Sequence, residues 1–157
     1  MKIIKIKNEK YHIKEDGTPL YPERYDRVTS FDDGIARVRK DNKMWHIDKQ
    51  GIPLYSERYD WVNDFDEGIA MVRKDGKWFS IDKQGKAIYK ERYDYVGNFS
   101  KGIVIVEKDN KWWHIDKKGK ALYKERYVWV GYYFEGIARV DKDGKWFFIN
   151  KQGKIVD

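Results

Sequence analysis

Cysteine is absent from this 157-residue chain. That excludes disulfides and thiolate metal sites, and it leaves the redox compartment open. Proline and histidine are scarce, with three residues of each. No stretch approaches the roughly 20 apolar residues of a membrane-spanning helix, so no membrane insertion is expected. The first residues, MKIIKIKNEKYHIKEDG, alternate Ile with Lys and lack the apolar run of about 7–15 residues that a signal peptide needs. The expected location is therefore cytoplasmic, provided the chain is not cut from a larger protein. No block of like charge reads as a nucleic-acid arm. No segment keeps helical periodicity over three turns.

Rings and charges are abundant instead. Aromatic residues make up 17% and charged residues 38%, with a net charge of +7. The mean hydropathy is −0.88 and the pI about 9.3. Flat rings must therefore supply much of the burial. Most lysines sit at turns (KDNK, KDGK, DKQGK, DKKGK) beside Asp that partly cancels them, which reads first as solvation and strand-edge protection.

Nine of the 13 glycines, from Gly17 to Gly153, follow one another at intervals of seventeen residues. Shifted by 34, the chain matches itself without a gap: Phe31–Phe65 recurs as Phe65–Phe99 and again as Phe99–Tyr133. A period of this kind specifies a repeat architecture in which each unit packs on its neighbours. We expect a single repeat domain over 1–157, with units at about 1–34, 35–68, 69–102, 103–136 and a shortened 137–157.

Within a unit, apolar residues alternate with period two, the strand pattern. Ile69–Arg73 and Lys77–Asp82 flank Asp75-Gly76, a pair suited to a two-residue type I′ hairpin turn; Asp41-Asn42, Asp109-Asn110 and Asp143-Gly144 do the same in other copies. Phe79 and Ile81 point to one face, Trp78 and Ser80 to the other. Asp-Lys-Gln-Gly or a variant then makes a second tight turn, closed by a positive-φ glycine at Gly51, Gly85 and Gly119. A third strand is expected at Ala87–Tyr89, a corner at Glu91–Asp94, and a short fourth strand at Tyr95–Val96. The fold class is all-β: about five 34-residue antiparallel hairpin units in an open solenoid-like array, with a closed five-fold toroid or small propeller as the alternative.

The pattern GIAxVxKDGKWxxIDKxGK, followed by YDxV and FxxG, resembles the bacterial WG (KWG) repeat over the whole chain, with Lys77-Trp78, Lys111-Trp112 and Lys145-Trp146 as its hallmark dipeptide. Where that family has Gly after Trp, this chain has Phe79, Trp113 and Phe147. The resemblance implies a β-rich binding or scaffold module without enzymatic activity, and it carries over no catalytic residue. The hairpins also resemble, more weakly, choline-binding and cell-wall-binding repeats of shorter period.

No catalytic constellation stands out. His12, His46 and His114 share one slot with Ser80 and Phe148, which suggests a semi-exposed strand position and argues against a metal ligand. The Asp-rich loops around Asp32-Asp33 and Asp64–Glu67 lack the spacing of a calcium loop. The recurring Glu-Arg pairs, Glu23-Arg24 to Glu125-Arg126, read as ion pairs between units or as corner hydrogen bonds to backbone. No metal or cofactor is expected, and no enzyme activity. The candidate binding residues are rings in the slots that vary between copies, Trp61, Tyr95 and Trp129, then Trp78, Trp112 and Trp146, with Arg37 and Arg73 nearby. Stacked burial between units is one reading of these rings. The functional reading is a repeated aromatic and basic surface for a protein partner, with a carbohydrate or cell-envelope ligand as the alternative and nucleic acid disfavoured.

Overall fold

The computed structural model describes residues 2–6 and 9–156. Met1, Lys7, Asn8 and Asp157, which the 1–157 range includes, lie outside the described residues. Every described element is a strand: β1 (Lys2–Ile6), β2 (Glu9–Ile13), β3 (Arg27–Val28), β4 (Ala36–Lys40), β5 (Lys43–Ile47), β6 (Trp61–Val62), β7 (Ile69–Lys74), β8 (Lys77–Asp82), β9 (Tyr95–Val96), β10 (Ile103–Lys108), β11 (Lys111–Asp116), β12 (Trp129–Val130), β13 (Ile137–Lys142), β14 (Lys145–Asn150) and β15 (Ile155–Val156). The all-β expectation holds, as small antiparallel sheets with no helix among the described residues.

The chain groups into two compact units. The first holds the hairpin β1–β2, the sheet β3–β4–β5, and β6–β7 with the Ser80–Asp82 end of β8. The second holds the other end of β8, the sheet β9–β10–β11 and the sheet β12–β13–β14–β15.

The long strands pair across the turns that the sequence predicts. Lys40 faces Lys43, Lys108 faces Lys111 and Lys142 faces Lys145, leaving two residues in each turn. Both turn residues have positive φ, for example 51° and 61° at Asp41 and Asn42, as type I′ requires. The Asp of the Tyr-Asp corner serves these turns. Asp26 accepts the Asp41 amide at 3.0 Å, and Asp94 accepts that of Asp109 at 3.0 Å. Each Asp thus ties the end of one sequence unit to the hairpin of the next.

Two expectations are corrected. Tyr95–Val96 is a strand, but it is the first strand of the following sheet, with Tyr95 opposite Glu107 and Val96 opposite Val106. Each structural unit therefore begins near the end of a sequence unit. The expected strand Ala87–Tyr89 shrinks to a single bridge, Ile81 with Ala87, as do its counterparts Ile13–Pro19, Ile47–Pro53 and Ile115–Ala121. The reason is the arginine that follows. Arg92 Nη1 donates to the carbonyls of Tyr89, Lys90 and Glu91 at 3.0–3.2 Å, and this coils the chain too tightly for a ladder. The backbone then returns, and Tyr93 exchanges two hydrogen bonds with Trp78. Of the two readings of Glu-Arg, backbone corner bonds are what the structure shows. Arg24, Arg58 and Arg126 repeat the arrangement.

The same guanidiniums lie over the ring that replaces the family glycine: Arg24 over Tyr11 at 3.8 Å, Arg58 over Trp45 at 4.1 Å, Arg92 over Phe79 at 3.7 Å and Arg126 over Trp113 at 4.2 Å. These four rings are buried. Core layers repeat with small residues on the first long strand (Ala36 and Val38, Ala70 and Val72) against Ile47 and Ile81 on the second, all buried. Successive layers meet at a glycine. A Cβ on Gly51 would lie 2.6 Å from Tyr21 Cβ, and one on Gly119 the same distance from Tyr89 Cβ. Glycine there allows both the positive φ and the seating of the preceding unit's tyrosine.

Candidate functional site

The three histidines are buried, which corrects the semi-exposed expectation for them: His12, His46 and His114 have no more than 1% exposure and Ser80 is buried too, while Phe148 in the same slot is exposed. Each histidine ring spans two partners. His46 Nε2 lies 2.8 Å from the Asn63 carbonyl, which only accepts, so Nε2 carries the proton and Nδ1 accepts from the Tyr55 hydroxyl at 2.6 Å. His12 uses Thr29 and Tyr21, and His114 uses Gly131 and Tyr123, in the same way. Both nitrogens of each ring are committed to protein groups. Burial lowers the pKa of all three, to about 4 for His46 and His114, against the opposing pull of the carbonyl hydrogen bond. The partner tyrosines move the other way, raised mainly by burial. These groups form hydrogen-bonded struts in which burial favours the neutral imidazole.

The Asp-rich loops border a small cleft of about 150 Å³ with His46, Phe65 and Lys83. Two of its carboxylates are already engaged, Asp64 with Arg37 Nε at 2.7 Å and Asp33 with Lys83 at 3.6 Å. Among the described residues, no group of three or more acidic or histidine side chains is positioned to hold a metal.

The candidate rings divide by slot. Those of the first short strand are exposed: Trp61 by 45%, Tyr95 and Trp129 by 42% each. Those of the second long strand grade outward along the chain, with Met44 buried, Trp78 and Trp112 half-buried and Trp146 exposed. Complete burial between units therefore does not describe these two slots.

In the second compact unit the two slots come together. Tyr95 lies 5.4 Å from Trp112, and Trp129 lies 5.6 Å from Trp146. Tyr132, which the sequence reading missed, adds to the first pair. It is exposed, its proximity adds to the raised pKa of Tyr95, whose main cause is burial, and its hydroxyl reaches to within 3.0 Å of where a Cβ on Gly97 would stand. Trp129 packs against Gly131, where a Cβ would stand 2.9 Å from its Cη2 and 3.2 Å from its Cζ3, so glycine lets the ring approach the backbone closely. In the first unit, Trp61 is held by Nε1–H donating to Asn63 Oδ1 at 2.7 Å. The exposed rings are held in place by these contacts.

The basic component is not repeated as the rings are. Arg73 faces Trp61 across the strand pair, but Glu107 faces Tyr95 and Asp141 faces Trp129. Arg139 covers Trp146 at 3.9 Å. Arg37 is engaged with Asp64 and donates to the Val62 carbonyl at 3.3 Å.

A family of WG containing repeats matches residues 13–43, 47–78, 81–112 and 115–146. No curated protein matches the sequence significantly. Among solved structures, the fold is similar to Hsv2 of Kluyveromyces marxianus (TM-score 0.53, 11% identity, 94% of this chain and 54% of that one). It is also similar to Hsv2 of Kluyveromyces lactis (TM-score 0.53, 9% identity, 99% and 57%). The chain thus spans about half the length of these β-propeller-like proteins, and at such identities the likeness concerns the fold alone.

Proposed function

The chain belongs to the family of WG containing repeats, and on that premise we propose that it is a non-catalytic binding or scaffold module whose exposed rings engage a protein partner. The observation that carries this reading is the exposed ring at the first strand of successive sheets, Trp61, Tyr95 and Trp129, each fixed by its surroundings. Rigid Tyr and Trp side chains lose little conformational entropy when they are covered, which is why they dominate protein-binding hot spots. Arg73 stands opposite Trp61, and Arg139 lies over Trp146, the ring paired with Trp129. The histidines, by contrast, are spent inside the fold.

The test is a comparative pull-down with crosslinking, using wild type and the double variant Tyr95→Ser, Trp129→Ser. Both positions are exposed, so the variant should fold. Proteins retained by wild type and lost with the variant are the expected result. Identical retention by the two would end this reading.

A second reading rests on Trp129, an exposed indole packed closely against Gly131, a ring type suited to the apolar face of a sugar. Carbohydrate or cell-envelope binding would then shift tryptophan fluorescence in a titration with glycans. A spectrum unmoved across a glycan panel would exclude it.

A further inference from the structure

One part of the surface departs from the repeat pattern. A cleft of about 310 Å³ in the first compact unit is lined by Lys10, Arg27, Arg37, Arg39 and Trp61, with Val28, Val38 and Met44 among its apolar walls. Among the described residues, no carboxylate lines it. Asp64 pairs with Arg37, and Arg39 donates to the neutral Asn42 Oδ1 at 2.8 Å, so Lys10, Arg27 and Arg39 bring three positive charges without a carboxylate partner among the described contacts.

The other copies do not repeat this arrangement. The slot of Arg27 holds Trp61, Tyr95 and Trp129 elsewhere, and the slot of Lys10 holds Met44, Trp78, Trp112 and Trp146. The consequence shows in the strand register. Trp61 faces Arg73, Tyr95 faces Glu107 and Trp129 faces Asp141, each an aromatic ring against a charge, whereas Arg27 faces Arg39. Like charges directly opposite on an antiparallel pair destabilise the sheet. The first sheet bears this cost at the mouth of a cleft, where a bound anion would relieve it.

We propose that this cleft is a binding site for a small phosphate monoester carrying a planar ring, of the size of a nucleoside monophosphate. A carboxylate brings one charge. A phosphate monoester brings nearly two, with three acceptor oxygens that Arg27, Arg39 and Lys10 can share. Arg guanidiniums suit such an oxyanion because their donors form a planar fork. Trp61, oriented through Asn63, provides the stacking surface for the ring. A volume of about 310 Å³ is at the lower end of the range of roughly 300–1,000 Å³ for small-ligand sites and fits a ligand of this size. The proposal does not depend on the protein partner proposed above.

The test is isothermal titration at constant ionic strength with adenosine monophosphate, adenosine and inorganic phosphate. Two variants borrow residues that the repeat already carries in those slots, Arg27→Trp and Lys10→Met. Wild type is expected to bind adenosine monophosphate saturably and more tightly than either fragment. Each variant should bind it at least about tenfold more weakly, the loss expected for one charge-assisted hydrogen bond. Arg27→Trp should also raise the melting temperature of the ligand-free protein, because it removes the Arg–Arg pair. The absence of saturable binding to wild type would overturn the proposal, as would unchanged affinity in both variants. Adenosine binding as tightly as its monophosphate would overturn the phosphate assignment. Inorganic phosphate doing so would overturn the role of Trp61.

Discussion

Substituting Gly119 by alanine tests the junction on which the whole repeat depends. Gly119 has φ +82°, and a Cβ there would stand 2.6 Å from Tyr89 Cβ, 2.6 Å from its Cγ and 2.7 Å from its Cδ1. Two costs add. A non-glycine residue in the left-handed region costs about 1–2 kcal/mol. Ordinary carbon contacts lie at about 3.5–4.0 Å, so the overlap is near 1 Å, and Tyr89 Cβ is fixed to the backbone and cannot rotate away. Overpacking of this kind costs about 1–3 kcal/mol. Gly136→Ala is the matched control: it has φ +84° in the same compact unit, but nothing within 4 Å of the added carbon. It should lose only the first amount. The expected difference between the two variants is therefore about 2 kcal/mol, a large share of a typical stability of about 5–15 kcal/mol. In urea unfolding followed by circular dichroism, with a slope near 2 kcal/mol/M, that difference separates the midpoints by about 1 M. Equal midpoints would show that φ alone selects these glycines and that the tyrosine seat is incidental.

Two further outcomes follow from the struts and corners. The folded pKa of His46 and His114 is depressed from 6.5 to about 4, so the unfolded chain binds more protons between those values. The contribution is complete above pH 6.5 and is lost as pH falls toward 4, by roughly 3 kcal/mol for each histidine at about 1.4 kcal/mol per pKa unit. Melting temperatures at pH 7 and pH 4.5 should show this fall, and His46→Ser, which borrows the residue of Ser80, should flatten it; an unchanged pH profile in that variant would refute the assignment. Arg126→Lys keeps the charge but loses the planar stack on Trp113 and the shared bonds to three carbonyls. It should cost about 1–2 kcal/mol in denaturant unfolding, and a loss within error of zero would mean that the corner is set by backbone alone.

Most of the local structure was legible because its causes are local. Asp41-Asn42 and Asp75-Gly76 tolerate positive φ through their own chemistry, and the alternation around Ile81 needs no distant partner. The phase of the repeat was not legible, since a period of 34 residues can be cut at any point without altering the match. Whether Tyr95–Val96 closes one sheet or opens the next depends on its pairing with Val106 and Glu107, a tertiary fact. Burial of the histidines was hidden for a similar reason. Their slot is also occupied by Ser and Phe, and the partners that make a buried histidine tolerable lie nine and seventeen residues away. The missed ring, Tyr132, left no periodic signal, because the equivalent positions of the other copies carry no ring: Ser30, Asp64 and Asn98 stand there.

That division bears on where function resides. Arg92 is consumed by three carbonyls, Gly119 by the Tyr89 seat, Asp94 by a turn amide and His114 by a tyrosine and a carbonyl. The side chains shared by most copies are thus already committed to holding the fold, and their recurrence carries information about packing and not about a ligand. Some of the slots that change from copy to copy stand outside that framework. Arg27 in place of a ring, Lys10 in place of Met or Trp, and Tyr132 in place of Ser, Asp or Asn all stand at the surface or line a cleft. In a repeat protein the framework is read from what recurs, and the specificity of each surface is read from what departs.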